Sequence, residues 1–210
     1  MPLKAAAKLK QLNQLRRQIA IESARLMSEE GIDNFQYARK KAAQRFGIND
    51  THAYPDNKEI LAQIKIHQSL YQSSTHEPLI RKLRSTALNA MKMLHDFSPR
   101  LTGSVLLGHA SEHSGIDIQL MADSPEEIAV LLMEHDIPYQ LIDWKLYFSK
   151  QKHKNTLQIV PTFQFYAGEH LVNLILLSEK QRKMVPISPE NRQTMQRASV
   201  KQVEALLAES

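Results

Sequence analysis

Apolar residues recur at helical spacing over the first hundred positions and at strand spacing after them. Leu12, Leu15, Ile19 and Leu26 keep the step of a helix face, and the pattern stops at Gly31, a residue suited to the left-handed backbone that ends helices. Asp33 followed three residues later by Gln36 gives a capping-box signal for a second helix, NFQYARKKAAQRF, closed by Gly47. Asp56 with Glu59 repeats the device for a third helix running to about Ser73, and EPLIRKLRSTALNAMKMLHDF predicts a fourth.

After Pro99 the period changes. RLTG, IDIQLMA, YQLIDW, KLYFS, TLQIVPTFQFYA and LVNLILL read as strands, several of them alternating with period two. Between the second and third lies SPEEIAVLLMEHD, a helix with Ser124 as cap, Pro125 in the first helical position and Glu127 closing the box. A last helix starts at Ser199, with Gln202 as its box partner. This order predicts an α+β protein: a basic helical region over 1–98, then a mixed sheet flanked by helices over 99–210.

Composition narrows the picture. With 210 residues and 42% hydrophobic content the chain can bury one substantial core, in one or two domains. No apolar run approaches the roughly 20 residues of a membrane span. The first residues are basic and amphipathic, unlike a secretory leader, so the expected location is the cytoplasm and no membrane partner is expected. The absence of cysteine excludes disulfides, thiol nucleophiles and cysteine-held zinc. The net charge of +5 favours anionic partners, and it is uneven: residues 1–98 carry +7 and residues 99–210 carry −2.

The candidate chemistry lies in LTGSVLLGHASEHSGIDIQL, residues 101–120. A Gly103-Ser104 turn is followed by Gly108, Ser114 and an acidic strand residue, Asp117. A Gly-Ser turn brings backbone N–H groups close to phosphates, and a following short helix points its positive end the same way. Two aspartates at i and i+2 on a strand would share one face and could hold magnesium ions on a triphosphate.

This stretch resembles the minimal nucleotidyltransferases of the DNA polymerase beta superfamily, whose members carry Gly-Ser-x3-Gly-x5-Ser-Asp-x-Asp. The resemblance extends loosely over the strands to about residue 178. Residues 1–98, above all IESARLMSEEGIDNFQYARKKAAQRFGI, look like the N-terminal region of an uncharacterised bacterial family of nucleotidyltransferase-like proteins. It implies a nucleotidyltransferase-like domain in which Gly103, Ser104, Gly108 and Ser114 bind a nucleoside triphosphate. It further implies that Asp117 holds Mg²⁺ and that a third carboxylate on a neighbouring strand completes the metal site and accepts a proton.

The acids fall short of that pattern. In the gapless alignment Gly115 stands where the first aspartate belongs and Asp117 is the second; slipped by two, Asp117 is the first and Gln119 the second. Either register leaves one carboxylate. Asn173 in LVNLILL occupies the place expected for the third acid, with Glu169 in the turn upstream as a substitute if the strand pairing shifts. The residues available to a metal are thus Asp117, Gln119 and Asn173, and neutral amide oxygens are weak partners for Mg²⁺. Losing two of three anions should cost several kcal/mol of transition-state stabilisation, on the order of 10³-fold in rate.

The expectation is therefore a nucleotidyltransferase-fold protein that binds a nucleoside triphosphate or nucleic acid, with metal-dependent transfer weak or lost. One alternative is an active Mg²⁺-dependent nucleotidyltransferase acting on an RNA, protein or small-molecule hydroxyl. Another is a non-catalytic nucleic-acid-binding or scaffold protein. For RNA, the candidate contacts are Arg39, Lys40, Lys41 and Arg45 on the second helix, Arg81, Lys82 and Arg84 on the fourth, and the loop KQKHKN; a solvated helix face is the competing reading. His109 and His113 have the spacing of two metal ligands on a helix, but no third ligand accompanies them, so a polar turn is expected. Trp144, Tyr147 and Phe148 are expected in the core rather than as a base-stacking platform.

Overall fold

The structure is a computed structural model that describes residues 2–32, 34–71, 73–122, 124–150, 154–188 and 194–209. By internal packing the chain divides into two compact units, Met1–His76 and Glu77–Ser210.

The first unit holds α1 (Pro2–Glu29), α2 (Phe35–Arg45), a single 3-10 turn (Thr51–Ala53) and α3 (Asn57–Tyr71). One stripe of α1 buries Ile19 and Leu26 against Ala42, Ala43 and Ala53; an adjacent stripe sets Ala20 and Ala24 against Phe35, Ile60 and Ile64. The alanines let the backbones approach, and the fully buried Ile19, Leu26 and Ile60 each contribute about 1.5–3 kcal/mol. The Asp56–Glu59 box forms in both directions: Asp56 N–H donates to Glu59 Oε2 at 2.7 Å and Glu59 N–H to Asp56 Oδ1 at 2.8 Å. At α2 the cap is Asn34, whose Oδ1 accepts the Tyr37 N–H at 2.9 Å; Asp33 lies outside the described residues.

The second unit begins within α4 (Ser73–Met93) and continues through β1 (Arg100–Thr102), α5 (Gly103–Leu107), β2 (Ile116–Met121), α6 (Pro125–Glu134), β3 (Gln140–Lys150), β4 (Lys154–Ala167), β5 (His170–Leu177), α7 (Glu179–Arg182), β6 (Val185–Ile187) and α8 (Val200–Ala208). The six strands form one mixed sheet in the order β1-β2-β5-β4-β3-β6. β2 and β5 are parallel and every other neighbouring pair is antiparallel. The arrangement is the α+β one expected, with three differences in detail. YQLIDW and KLYFS fuse into the single strand β3, because no residue between them breaks the pairing with β4. β6 and α7 are additional. Ser124 occupies the N-cap position of α6 without a cap hydrogen bond from its side chain, so the box with Glu127 does not form; its hydroxyl goes to Glu126 instead, whose carboxyl is held below the usual range by its own backbone N–H and then by Ser124.

The packing boundary at 76/77 lies well before the change of sequence pattern at Pro99. The intervening α4 is helical by pattern, yet its buried ridge, Ile80, Leu83, Ala87 and Met91, belongs with Leu94 just beyond it to the core of the sheet. Ile128 and Leu132 of α6 and Val203 of α8 complete that layer over Ile116, Ile118, Leu120, Val172, Leu174 and Leu176. On the opposite face Leu146, Phe148, Val160, Ile175 and Leu177 pack under Met184 and Met195. Residues 194–198 reach both edges of the sheet, with Thr194 bridged to Ile187 of β6 and Ala198 bridged to Leu101 of β1. Ser199 opens α8 as expected, its N–H donating to Gln202 Oε1 at 2.8 Å. Among the described residues, no helix is long and apolar enough to cross a membrane.

Candidate functional site

The parallel register of β2 and β5 sets Asp117 directly beside Asn173, and the antiparallel register of β5 and β4 sets Asn173 beside Gln164. On the other side β1 places Thr102 opposite Asp117. Residues directly opposite in a ladder share a face, so Thr102, Asp117, Asn173 and Gln164 form one polar row across four strands.

Hydrogen bonds converge on Asp117 from both ends of this row. Gln164 Nε2 donates to Asn173 Oδ1 at 2.8 Å, and Asn173 Nδ2 donates to Asp117 Oδ1 at 2.8 Å. Thr102 Oγ1 donates to the Asp117 backbone carbonyl at 3.2 Å. Asn173 is buried at 3% exposure, where its amide must be bonded on both sides to be tolerated, and the two bonds supply that. The row ends on the carboxylate, which receives the donor at the end of a polarised chain.

The glycines explain how tightly the row is enclosed. Gly103 has φ +71°, and a Cβ there would meet Asp117 Oδ2 at 2.8 Å. A Cβ on Gly115 would meet Asn173 Nδ2 at 2.6 Å. The Gly103-Ser104 turn and the residue at the gapless first-aspartate position therefore both lie against the row, and glycine is the residue that leaves the row room.

The remaining candidates fall in different places. Gly108 caps the C-terminus of α5 in left-handed backbone, φ 75°. Ser114 has its hydroxyl turned to the Ser111 N–H at 2.9 Å, closing a short turn. Gln119 lies in register with Ile175, fully buried, and its Nε2 donates to Met195 Sδ at 3.0 Å. Glu169, in the β4–β5 turn, is 86% exposed by side chain and pairs with Lys82 at 3.3 Å, so it does not replace the third acid. His109 is buried and His113 exposed, and neither lies on a helix. Gln164 and Thr102 carried no reading in the sequence; the signal available for Gln164 was a polar amide in the largely apolar run IVPTFQF.

The resemblance implies Mg²⁺, and the donor set does not fit it. Of the three oxygen ligands expected, two are amides, and one of these aims its N–H at the only carboxylate. Among the described residues, no group of three or more His, Cys, Asp or Glu could hold a metal. An N–H donor occupying the carboxylate oxygen competes with any cation for the same lone pair.

The basic helices are largely engaged inside their own units. In the first, Arg39 donates to the Pro55 carbonyl at 2.7 Å and to Asn57, and Lys41 pairs with Glu30 at 2.7 Å. Arg45 pairs with both Glu22 and Glu30. Arg25 lowers the Glu22 carboxyl most, with Arg45 also contributing; Lys41 and then Arg45 hold Glu30 down at about 2. In the second unit Arg84 donates to the carbonyls of Val105 and Leu106 at 3.2 and 3.0 Å, capping the C-terminus of α5. Burial lowers its guanidinium. In the loop KQKHKN, residues 151–153 lie outside the described residues.

Phe148 is buried and Trp144 packs, partly buried, against the same apolar cluster, while Tyr147 is 48% exposed. The difference is parity: 144 and 148 share one face of β3 and 147 points to the other.

Comparison with known protein families, curated proteins and solved structures returns no match.

Proposed function

We propose that the protein is a degenerate nucleotidyltransferase-fold module that binds a nucleoside triphosphate and has weak or lost transfer chemistry. The observation that carries this reading is the row Asp117–Asn173–Gln164, which lies beside a Gly-Ser turn with amides where transfer chemistry needs carboxylates. Amides at these positions keep the row bonded and leave Asp117 as its one carboxylate. Without the second and third anions the site has no means of concentrating two divalent ions on a triphosphate, so any transfer falls by on the order of 10³-fold or more. The intramolecular engagement of Arg39, Lys41, Arg45 and Arg84 favours a nucleotide over an RNA backbone as the occupant, since cations already paired release fewer counterions on binding.

The test is calorimetric titration of the protein with ATP, GTP, CTP and UTP in EDTA and in Mg²⁺, run beside incubation with α-labelled triphosphates. Binding of at least one nucleotide with little dependence on Mg²⁺, with no pyrophosphate release above background, is the expected outcome. Asp117→Asn should alter that binding. Absence of binding to all four nucleotides removes the proposal, and metal-dependent labelling of an acceptor replaces it with an active transferase.

A further inference from the structure

The β3–β4 hairpin carries large apolar side chains on both faces, and among the described residues of its own unit the odd-numbered face is covered only in part. The even-numbered face, with Leu146, Phe148 and Val160, lies under Met184 and Met195. On the odd-numbered face the helices cover Phe163 and Phe165. Beyond them Leu141, Tyr147, Leu157 and Ile159 stand 56%, 48%, 48% and 59% exposed. Register brings these four onto one surface: Leu141 opposite Phe163, Lys145 opposite Ile159 and Tyr147 opposite Leu157. Large apolar side chains gathered in this way mark an interaction surface.

The charges within the patch identify what it receives. Asp143 and Lys145 are both exposed, two residues apart on the same face, and their cross-strand neighbours are Pro161 and Ile159. Neither has an ion-pair partner among the described residues. An acid and a base side by side in an apolar surround are complementary to the same pair rotated by half a turn. A two-fold axis parallel to the sheet and perpendicular to β3, standing above the odd-numbered face at the level of residue 144, lays Asp143 over the partner copy's lysine and Lys145 over its aspartate. The same rotation lays Leu141 over the partner copy's tyrosine and Ile159 over its proline.

We infer that the odd-numbered face of the β3–β4 hairpin is an isologous dimer interface, in which two copies of the chain pack sheet on sheet around reciprocal Asp143–Lys145 pairs. Face-to-face packing of this kind joins two twisted sheets through their side chains, and a two-fold axis makes each contact occur twice. The surface is on the opposite side of the sheet from Asp117, so it is independent of the nucleotide reading.

Sedimentation of the full chain from about 1 to 100 μM tests it, with Asp143→Lys, Lys145→Asp and Ile159→Ser beside the wild type and circular dichroism checking each fold. The wild type should sediment as a dimer in the upper part of this range. Each single charge reversal sets like charges against each other and should weaken self-association by on the order of 100-fold. Ile159→Ser should weaken it too. Mixing Asp143→Lys with Lys145→Asp in equal amounts should restore a species of dimer mass, because each then presents the charges the other lacks. A wild type that stays monomeric at every concentration overturns the inference. So do reversal variants that dimerise like the wild type, or a mixture of folded variants that stays monomeric.

Discussion

Asn173→Asp changes the row at its centre. The substitution is nearly isosteric, but it replaces the Nδ2 donor, 2.8 Å from Asp117 Oδ1, by a second carboxylate oxygen. A hydrogen bond to a charged group is worth about 1.5–3 kcal/mol. Two carboxylates about 4 Å apart repel by about 4 kcal/mol at an effective dielectric of 20. Uptake of one proton limits the repulsion, because sharing it lifts the affinity of the pair above the ordinary aspartate value of about 3.9. At pH 7 a loss of about 3 kcal/mol is expected, or a fall of about 10 °C in Tm for a unit of this size. The sign with pH follows from the raised value. The folded variant holds a proton more tightly than the unfolded chain, so the deficit is small below about pH 4 and grows as pH rises toward neutrality. If the row descends from a metal cradle, Mn²⁺ or Mg²⁺ should recover several degrees for this variant and none for the wild type. The assay is thermal unfolding followed by circular dichroism at pH 4, 5.5 and 7, with and without about 10 mM divalent ion. A variant that melts like the wild type at pH 7 refutes the hydrogen-bonded row; one that melts early but ignores the metal refutes its ancestry as a metal site.

Three further outcomes are expected. Gly103→Ala should cost about 3 kcal/mol, since it combines left-handed backbone with a 2.8 Å approach to Asp117 Oδ2, whereas Gly168→Ala, also at positive φ but with open space around it, should cost about 1 kcal/mol; chemical denaturation of the two variants compares them directly. Arg84→Met keeps the apolar stem and removes the donors to Val105 and Leu106, so it should lose about 1–2 kcal/mol and speed amide exchange in residues 103–109. Acid should weaken the first unit. Glu22 and Glu30 are held below the usual carboxylate value by Arg25, Lys41 and Arg45, so the stability they provide is complete above about pH 4.5 and is lost as pH falls toward about 2; Glu22→Gln should flatten that acid limb in a pH series of melting curves.

Periodicity and capping chemistry were enough to delimit most elements. The Asp56–Glu59 and Ser199–Gln202 boxes are local arrangements of four residues, so composition determines them. The short apolar runs predicted six strands, of which YQLIDW and KLYFS are the two halves of β3. β6 escaped because its three residues, VPI, have Pro186 at the centre, and a proline within a short apolar run argues against a strand. The end of the helical region was legible at Pro99, but the membership of α4 was not. Nothing in a helical pattern says which hydrophobic partner its ridge will find, and Leu83 and Met91 found the sheet.

The same division holds at the site. From the sequence alone came the Gly-Ser turn, the lone carboxylate Asp117 and the amide at Asn173, because residue identity and short spacing carry them. Tertiary structure decided that Asp117, Asn173 and Gln164, up to 56 positions apart in sequence, stand in one row. It also turned Gln119 to Met195 and spent the positive charge of Arg39, Arg45 and Arg84 on partners within the fold. Strand order and register set these encounters. They follow from how distant apolar faces pack together, which short-range pattern does not encode.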